Sequence, residues 1–196
     1  MAAGRPVVFL DRDGTLIEEV GYVNHPSRVR LLPGAADAVA RLRAAGHAVV
    51  VVTNQAGIAR GYLPRSLVDA AHAELELQLA AAGTAVDAIY LCPHHPTDGV
   101  GELRMACDCR KPEPGLLLAA AGDLGLDLSR SAMVGDLPAD IAAGAAVGAR
   151  TVLVLTGLGR GEWEYRRSLF AVAPDHVCAD LAAAAAWILD GVPAAC

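Results

Sequence analysis

Residues 7–15 read VVFLDRDGT. Four consecutive apolar residues run without polar interruption into two aspartates and a glycine, and such an unbroken run marks a strand covered on both faces, as in a parallel sheet flanked by helices. Asp11 and Asp13 stand two apart, so an extended backbone aims both carboxylates the same way. Outward from this stretch, short Val/Leu-rich runs alternate with longer segments of helical period. Strands are predicted over 6–11, 48–53, 88–92, 131–135 and 151–156, and helices over 35–45, 65–82, 114–124 and 138–147. Gly46 is placed to close the first helix in a left-handed cap, Leu67, Val68, Ala71, Leu75 and Leu79 form one apolar stripe on the second, and Asp180 is placed to cap a last helix. The expected fold class is therefore α/β, a doubly wound, Rossmann-like, mostly parallel sheet. Two stretches, 92–114 and 156–174, read as irregular, and loops of that length in a compact domain are functional or held by something else.

The composition narrows the partners. The 196 residues carry 16 Lys plus Arg against 22 Asp plus Glu, a net charge of −6, with no basic cluster to attract nucleic acid. At this length one domain, 1–196, buries about 70% of its unfolded surface without disulfides. The 54% hydrophobic but only 4% aromatic content means a core of Ala, Val and Leu. No apolar run approaches the roughly 20 residues that span a bilayer, and the first apolar stretch is too short for a signal peptide, so the expected location is cytoplasmic, with no membrane partner. Three of the five cysteines, Cys92, Cys107 and Cys109, fall within 18 positions, which in a reducing compartment points to a metal more than to disulfides.

Ligands of open parallel sheets bind beyond the carboxyl ends of the strands, and what the strands deliver there is polar and convergent. The first brings Asp11 and Asp13, the second Thr53 and Asn54, and the fourth Asp136, with Asp140 one helical turn later; Arg110 and Lys111 follow the cysteine-rich loop. Each piece has a plain reading, as a turn, a helix cap or solvated surface. Their combination at strand ends does not.

The set DRDGT, TNQ, CRKP and GDLPAD resembles the four motifs of the haloacid dehalogenase (HAD) superfamily of phosphohydrolases. More narrowly, FLDRDGTL, VVVTNQAGIARG, the loop beginning CPHHP and CDCRKPEPG are similar to the D-glycero-D-manno-heptose 1,7-bisphosphate phosphatase family, with histidinol-phosphate phosphatases as near relatives. The resemblance implies a HAD fold and removal of one phosphate, at C7, in nucleotide-activated heptose biosynthesis; with only one loop and one helix between Asp13 and Thr53, and little more than a helix, a strand and the cysteine-rich loop between Thr53 and Lys111, the site is expected to lack a cap domain. Asp11 would be the nucleophile, forming an aspartyl-phosphate, and Asp13 the general acid and base. Mg²⁺ would be held by Asp11, the Asp13 backbone carbonyl and Asp136, with Lys111 as a second positive charge and the Thr53 hydroxyl and the Asn54 amide or backbone N–H as donors to the phosphoryl oxygens. These cations are needed because a phosphoryl charge about 4 Å from a carboxylate is repelled by about 4 kcal/mol in a medium of effective dielectric near 20. Asp140 either positions Lys111 or the metal waters, or merely faces its own helix dipole.

Cys92-x-His94, twelve residues, then Cys107-x-Cys109 supplies three thiolates and one imidazole, the donor set of structural Zn²⁺. His95 is a rival ligand by spacing, and the family's CPHHP pattern favours His94. Glu19 and Tyr22 are candidates for sugar hydroxyls, and Arg110 or Arg60 for the retained phosphate of a bisphosphate. Leu137 follows Asp136 where similar heptose phosphatases often have Lys. Cys178 and Cys196 read as bystanders. The partner is a small phosphorylated sugar and the chain is expected to act as a monomer. Two other readings stand beside this one: a histidinol-phosphate or other sugar-phosphate phosphatase, and a catalytically silent HAD-fold binding protein, which would not need both Asp11 and Asp13.

Overall fold

The computed structural model describes residues 4–191, so Cys196 lies outside the described residues. Six strands, β1 (Arg5–Leu10), β2 (Ala48–Asn54), β3 (Ala88–Cys92), β4 (Leu126–Gly135), β5 (Arg150–Val154) and β6 (His176–Cys178), form one sheet in the order β3-β2-β1-β4-β5-β6. All neighbours are parallel. The helices are α1 (Ala35–Ala44), α2 (Ala56–Ala59), α3 (Arg65–Ala81), α4 (Gly115–Leu124), α5 (Pro138–Ala146), α6 (Gly159–Arg166) and α7 (Leu181–Asp190).

β1 shows why its apolar run is unbroken. Val8 and Leu10 pack with Val39 of α1, Leu75 of α3 and Ile188 of α7, whereas Val7 and Phe9 pack with Leu117 of α4 and Ala143 of α5. The strand is thus covered on both faces, at the centre of the sheet, and it ends at Leu10 so that Asp11 lies just beyond the last paired residue. The first four connections carry only 3-10 turns and helices, and among the described residues no separate cap stands over the strand ends. No helix of the described residues is long and apolar enough to cross a membrane.

Several boundaries differ from the expectation. β4 begins five residues earlier than residue 131, because Arg5 and Pro6 pair with Leu126 and Asp127 before the register shifts and Val7 pairs with Ser131; the extra residues are half-exposed or exposed and carry no apolar signal. β6, three residues at the sheet edge, had no recognisable run. The stretch 156–174 is not irregular: it holds α6 and a 3-10 turn at Arg167–Leu169, and α6 escaped notice because only Gly159 of it is buried. The stretch 92–114 does stay irregular apart from a 3-10 turn at Gly101–Leu103. On α3 the buried stripe is Val68, Ala71, His72, Leu75 and Leu79, with Leu67 only half-buried. Asp180 caps α7, its Oδ1 accepting the Ala183 N–H at 2.9 Å.

Candidate active site

The strand order reverses at β1, and the polar residues meet beyond the carboxyl ends of β1, β2 and β4. The Asp11 N–H continues the ladder to the Val134 carbonyl at 2.9 Å, which fixes the carboxylate relative to β4. Lys111 arrives from the cysteine-rich loop, 3% exposed, and its Nζ lies 2.8 Å from Asp11 Oδ1, 2.6 Å from Asp140 Oδ1 and 2.7 Å from the Val52 carbonyl. Burial favours the neutral amine, but Asp11 and Asp140 outweigh it and hold the ammonium protonated above the ordinary lysine range. Asp140 therefore positions Lys111; its Oδ2 also accepts the Leu137 N–H at 3.1 Å, so the helix-end role is filled by the same carboxylate.

Asn54 performs a different task from the one expected of its side chain. Its Nδ2 donates to the Lys111 carbonyl at 2.9 Å and its Oδ1 accepts the Lys111 N–H at 3.1 Å, so the amide pins the lysine backbone and only the Asn54 main chain is left for a phosphoryl group. Thr53 Oγ1 accepts from Gln55 Nε2 at 2.9 Å, which leaves its own O–H free to donate.

Asp136 is 1% exposed, with Oδ2 accepting the Leu158 N–H at 2.8 Å and Oδ1 buried without a partner. Burial, then the Asp140 and Asp11 charges, push its carboxyl up to about 8. Gly14 and Gly157, both in the left-handed region with φ of 77° and 54°, pack their backbones against this carboxylate, and a Cβ on either would strike it. Carboxylate oxygens of Asp11, Asp136 and Asp140 all lie within 4.8 Å of one another. Asp140 is committed to Lys111 and Leu137, so the orphaned Asp136 oxygen beside Asp11 is what fits a hard, oxygen-seeking cation such as Mg²⁺.

The Asp13 side chain is not part of that cluster and is held by Arg12 and Gln55. Arg12 forks onto both oxygens at 2.8–3.1 Å, and Gln55 Nε2 donates to Oδ2 at 2.9 Å. Burial raises the Asp13 carboxyl, with Arg12 opposing. Arg12 and Gln55 were missed from the sequence, where an arginine between two aspartates and a glutamine after a strand carry no distinct signal.

A cavity of about 390 Å³ opens over these groups, lined among others by Asp11, Asp13, Glu19, Tyr22, Lys111 and Leu137. Glu19 turns back to accept the Gly21 N–H, and burial raises its carboxyl. Tyr22 Oη accepts from Arg60 Nη1 at 2.6 Å, and Arg60 lines the same cavity. Arg110 is elsewhere, at an adjoining cavity of about 230 Å³, with Nη1 donating to the His94 carbonyl at 3.1 Å.

Next to Lys111, Cys92, His94, Cys107 and Cys109 converge. The Sγ atoms stand 3.2–3.6 Å apart and His94 Nδ1 is 3.4 Å from Cys109 and 3.7 Å from Cys92. A tetrahedral ion with bonds of about 2.3 Å has edges of about 3.8 Å, close to these spacings, while a disulfide needs about 2.05 Å. His95 is turned the other way, accepting Arg60, with its Nδ1 toward Thr97 and Asp98.

A family model described as "HAD-hyrolase-like" matches residues 108–184. A Thermosynechococcus vestitus protein named D-glycero-D-manno-heptose-1,7-bisphosphate 7-phosphatase is 44% identical over 192 residues, covering 94% of this chain and 95% of its own length. The chain belongs to the heptose-1,7-bisphosphate 7-phosphatase family. An Escherichia coli member of that family, the D-glycero-beta-D-manno-heptose-1,7-bisphosphate 7-phosphatase, is 44% identical over 158 residues, 80% of this chain and 83% of the relative. The crystal structure of D,D-heptose 1,7-bisphosphate phosphatase from B. bronchiseptica, complexed with magnesium and phosphate, superposes with a TM-score of 0.81 at 37% identity over 95% of this chain and 98% of that one. The enzyme of the same name from Burkholderia thailandensis gives 0.68 at 30% identity, covering 95% and 100%.

For this heptose-bisphosphate phosphatase family member, the raised Asp136 carboxyl links metal to pH. The folded, metal-free protein binds a proton at Asp136 more tightly than the unfolded chain does, so its stability falls as pH rises from the ordinary carboxylate range through about 8. Mg²⁺ bound to that carboxylate would take the place of the proton. The rise in Tm on adding Mg²⁺ should therefore be larger at pH 8.5 than at pH 6; a rise that is flat or shrinks with pH contradicts the site.

Proposed function

We propose that the chain is a Mg²⁺-dependent phosphatase that removes the C7 phosphate of D-glycero-D-manno-heptose 1,7-bisphosphate through an aspartyl-phosphate on Asp11. The observation that carries the reading is the buried Lys111 ammonium locked to the Asp11 carboxylate beside the unpartnered oxygen of Asp136, at the floor of a cavity large enough for a small phosphorylated sugar. The relatives' names supply the substrate. The chain acts as one domain and as a cytoplasmic monomer in this reading.

Asp11 attacks phosphorus, the bond from phosphorus to the C7 oxygen breaks, and the Asp13 carboxyl group passes its proton to that oxygen as the sugar departs. Water then attacks the acyl phosphate, Asp13 takes the proton, and phosphate leaves with Asp11 restored. The Thr53 hydroxyl and the Asn54 main-chain N–H donate to the phosphoryl oxygens, and Lys111, whose three N–H groups are taken by Asp11, Asp140 and the Val52 carbonyl, contributes its positive charge beside Asp11. Asp11, the Asp13 carbonyl and Asp136 would hold Mg²⁺, which when bound would supply the charge neutralisation that a dianion needs to approach two carboxylates. Glu19 and Tyr22 contact the sugar. Arg60, on the cavity wall, is better placed than Arg110 for the retained phosphate, and Arg110 instead braces the loop through His94.

Zn²⁺ on Cys92, His94, Cys107 and Cys109 holds the loop that carries Lys111 two residues after its last ligand. Metal analysis should give one zinc per chain, and its removal by a chelator should lower Tm and kcat together while Mg²⁺ is kept saturating. Unchanged Tm and full activity in zinc-free protein would contradict this role.

Phosphate release decides the activity. Asp11→Asn should abolish turnover, with a loss of at least about 10³-fold, while the fold persists. kcat/KM should be highest for heptose 1,7-bisphosphate. Equal rates for Asp11→Asn and the parent would leave a silent binding protein, and a strong preference for histidinol phosphate would replace the substrate.

A further inference from the structure

Proton transfer needs the Asp13 carboxyl group fixed at one place on the cavity wall, and the side chain that grips it is Arg12. The guanidinium is buried, with 3% of the side chain exposed, and Nη2 reaches Asp13 Oδ2 at 2.8 Å and Oδ1 at 3.0 Å while Nε reaches Oδ2 at 3.1 Å. Sequence neighbours meet here because the chain has turned: the Arg12 carbonyl accepts the N–H groups of Leu16 and Ile17 at 2.9 and 3.0 Å.

The far side of the guanidinium is held as well. Nη1 lies 3.0 Å from Nε2 of His72, midway along α3. A guanidinium has only donors, so Nε2 accepts, and the ring is neutral with its proton on Nδ1. His72 is 8% exposed, and burial followed by the Arg12 charge pushes its imidazolium down to about 4, so the acceptor persists at neutral pH. His72 occupies the apolar stripe of α3, between Val68 and Leu75, where an imidazole is not needed for packing alone. Two acceptors on different elements define the rotation of the fork, which one carboxylate would leave free.

We propose that Arg12 and His72 are positioning residues for the leaving-group proton: α3 anchors the guanidinium through His72, and the guanidinium fixes the Asp13 carboxyl group beside the departing oxygen. This rests on the phosphatase reading above. In the step they serve, the Asp13 O–H bond breaks and its proton passes to the C7 oxygen, as the bond from that oxygen to phosphorus breaks and the Asp11 oxygen bonds to phosphorus.

A leaving-group comparison separates this role from a structural one. An alkoxide needs the proton, whereas p-nitrophenolate leaves as a stable anion without it, and kcat/KM reports only the steps through departure of the leaving group. His72→Leu should lower kcat/KM for heptose 1,7-bisphosphate by about tenfold or more, and for p-nitrophenyl phosphate by less than about threefold. Arg12→Lys, which keeps the charge but loses the fork, should do the same. His72→Gln, whose side-chain oxygen can accept, should regain most of the loss. If His72→Leu does not fold, Arg12→Lys and His72→Gln carry the same comparison. Parallel losses on both substrates, or no loss on the sugar, overturn the inference while an active parent leaves the phosphatase reading standing. A parent inactive on the sugar phosphate is the failure of that reading instead.

Discussion

A buried ammonium held between two buried carboxylates is the interaction on which the rest of this structure depends. Placing Lys111 away from water costs several kcal/mol unless its charge is matched at short range, and removing one partner of such a group typically costs about 3–5 kcal/mol. The match comes from Asp11 after β1, Asp140 in α5 and the Val52 carbonyl of β2, so satisfying one charge sets the relative placement of three elements. Asn54 extends the constraint by clamping the lysine backbone to the end of β2. In a chain of net charge −6 the one buried ammonium at this strand end is thus outnumbered by the carboxylates around it, which leaves room for a bound cation.

The cysteine-histidine loop is the other half of the arrangement. A long irregular segment has little to hold it, yet Lys111 needs sub-ångström placement. The four converging soft donors end two residues before the lysine. The same loop reaches across to the cavity wall: the Val100 N–H donates to the Ala59 carbonyl at 2.8 Å, and Asp98 and His95 meet Arg60 at 3.0 and 3.2 Å. Loop order, lysine placement and the Arg60 side of the cavity wall are therefore physically continuous.

Much of this was legible in the sequence, for identifiable reasons. Buried parallel strands read as apolar runs whose ends are their only polar residues, so Asp11, Thr53 and Asp136 declared themselves. What stayed hidden lacked a periodic or compositional signal. Residues 126–130 of β4 lie partly exposed beside a register shift, β6 has three residues, and α6 buries one glycine. The choice between the Asn54 amide and its backbone N–H stayed open in the sequence because the grip of the amide on the Lys111 backbone is a contact across 57 residues. Gln55 and Arg12 act only through partners brought by folding. His72 did leave a trace, as an imidazole in an otherwise apolar helical stripe, and it became readable only once Arg12 was seen against it.

The central claim is that the Lys111-bound carboxylate of Asp11 accepts the phosphoryl group. Turnover of heptose 1,7-bisphosphate with Mg²⁺, quenched and treated with borohydride, converts an aspartyl-phosphate to homoserine that peptide mass spectrometry can locate. Homoserine at position 11 and nowhere else is the predicted result. Homoserine at another aspartate, or none during active turnover, would contradict the account.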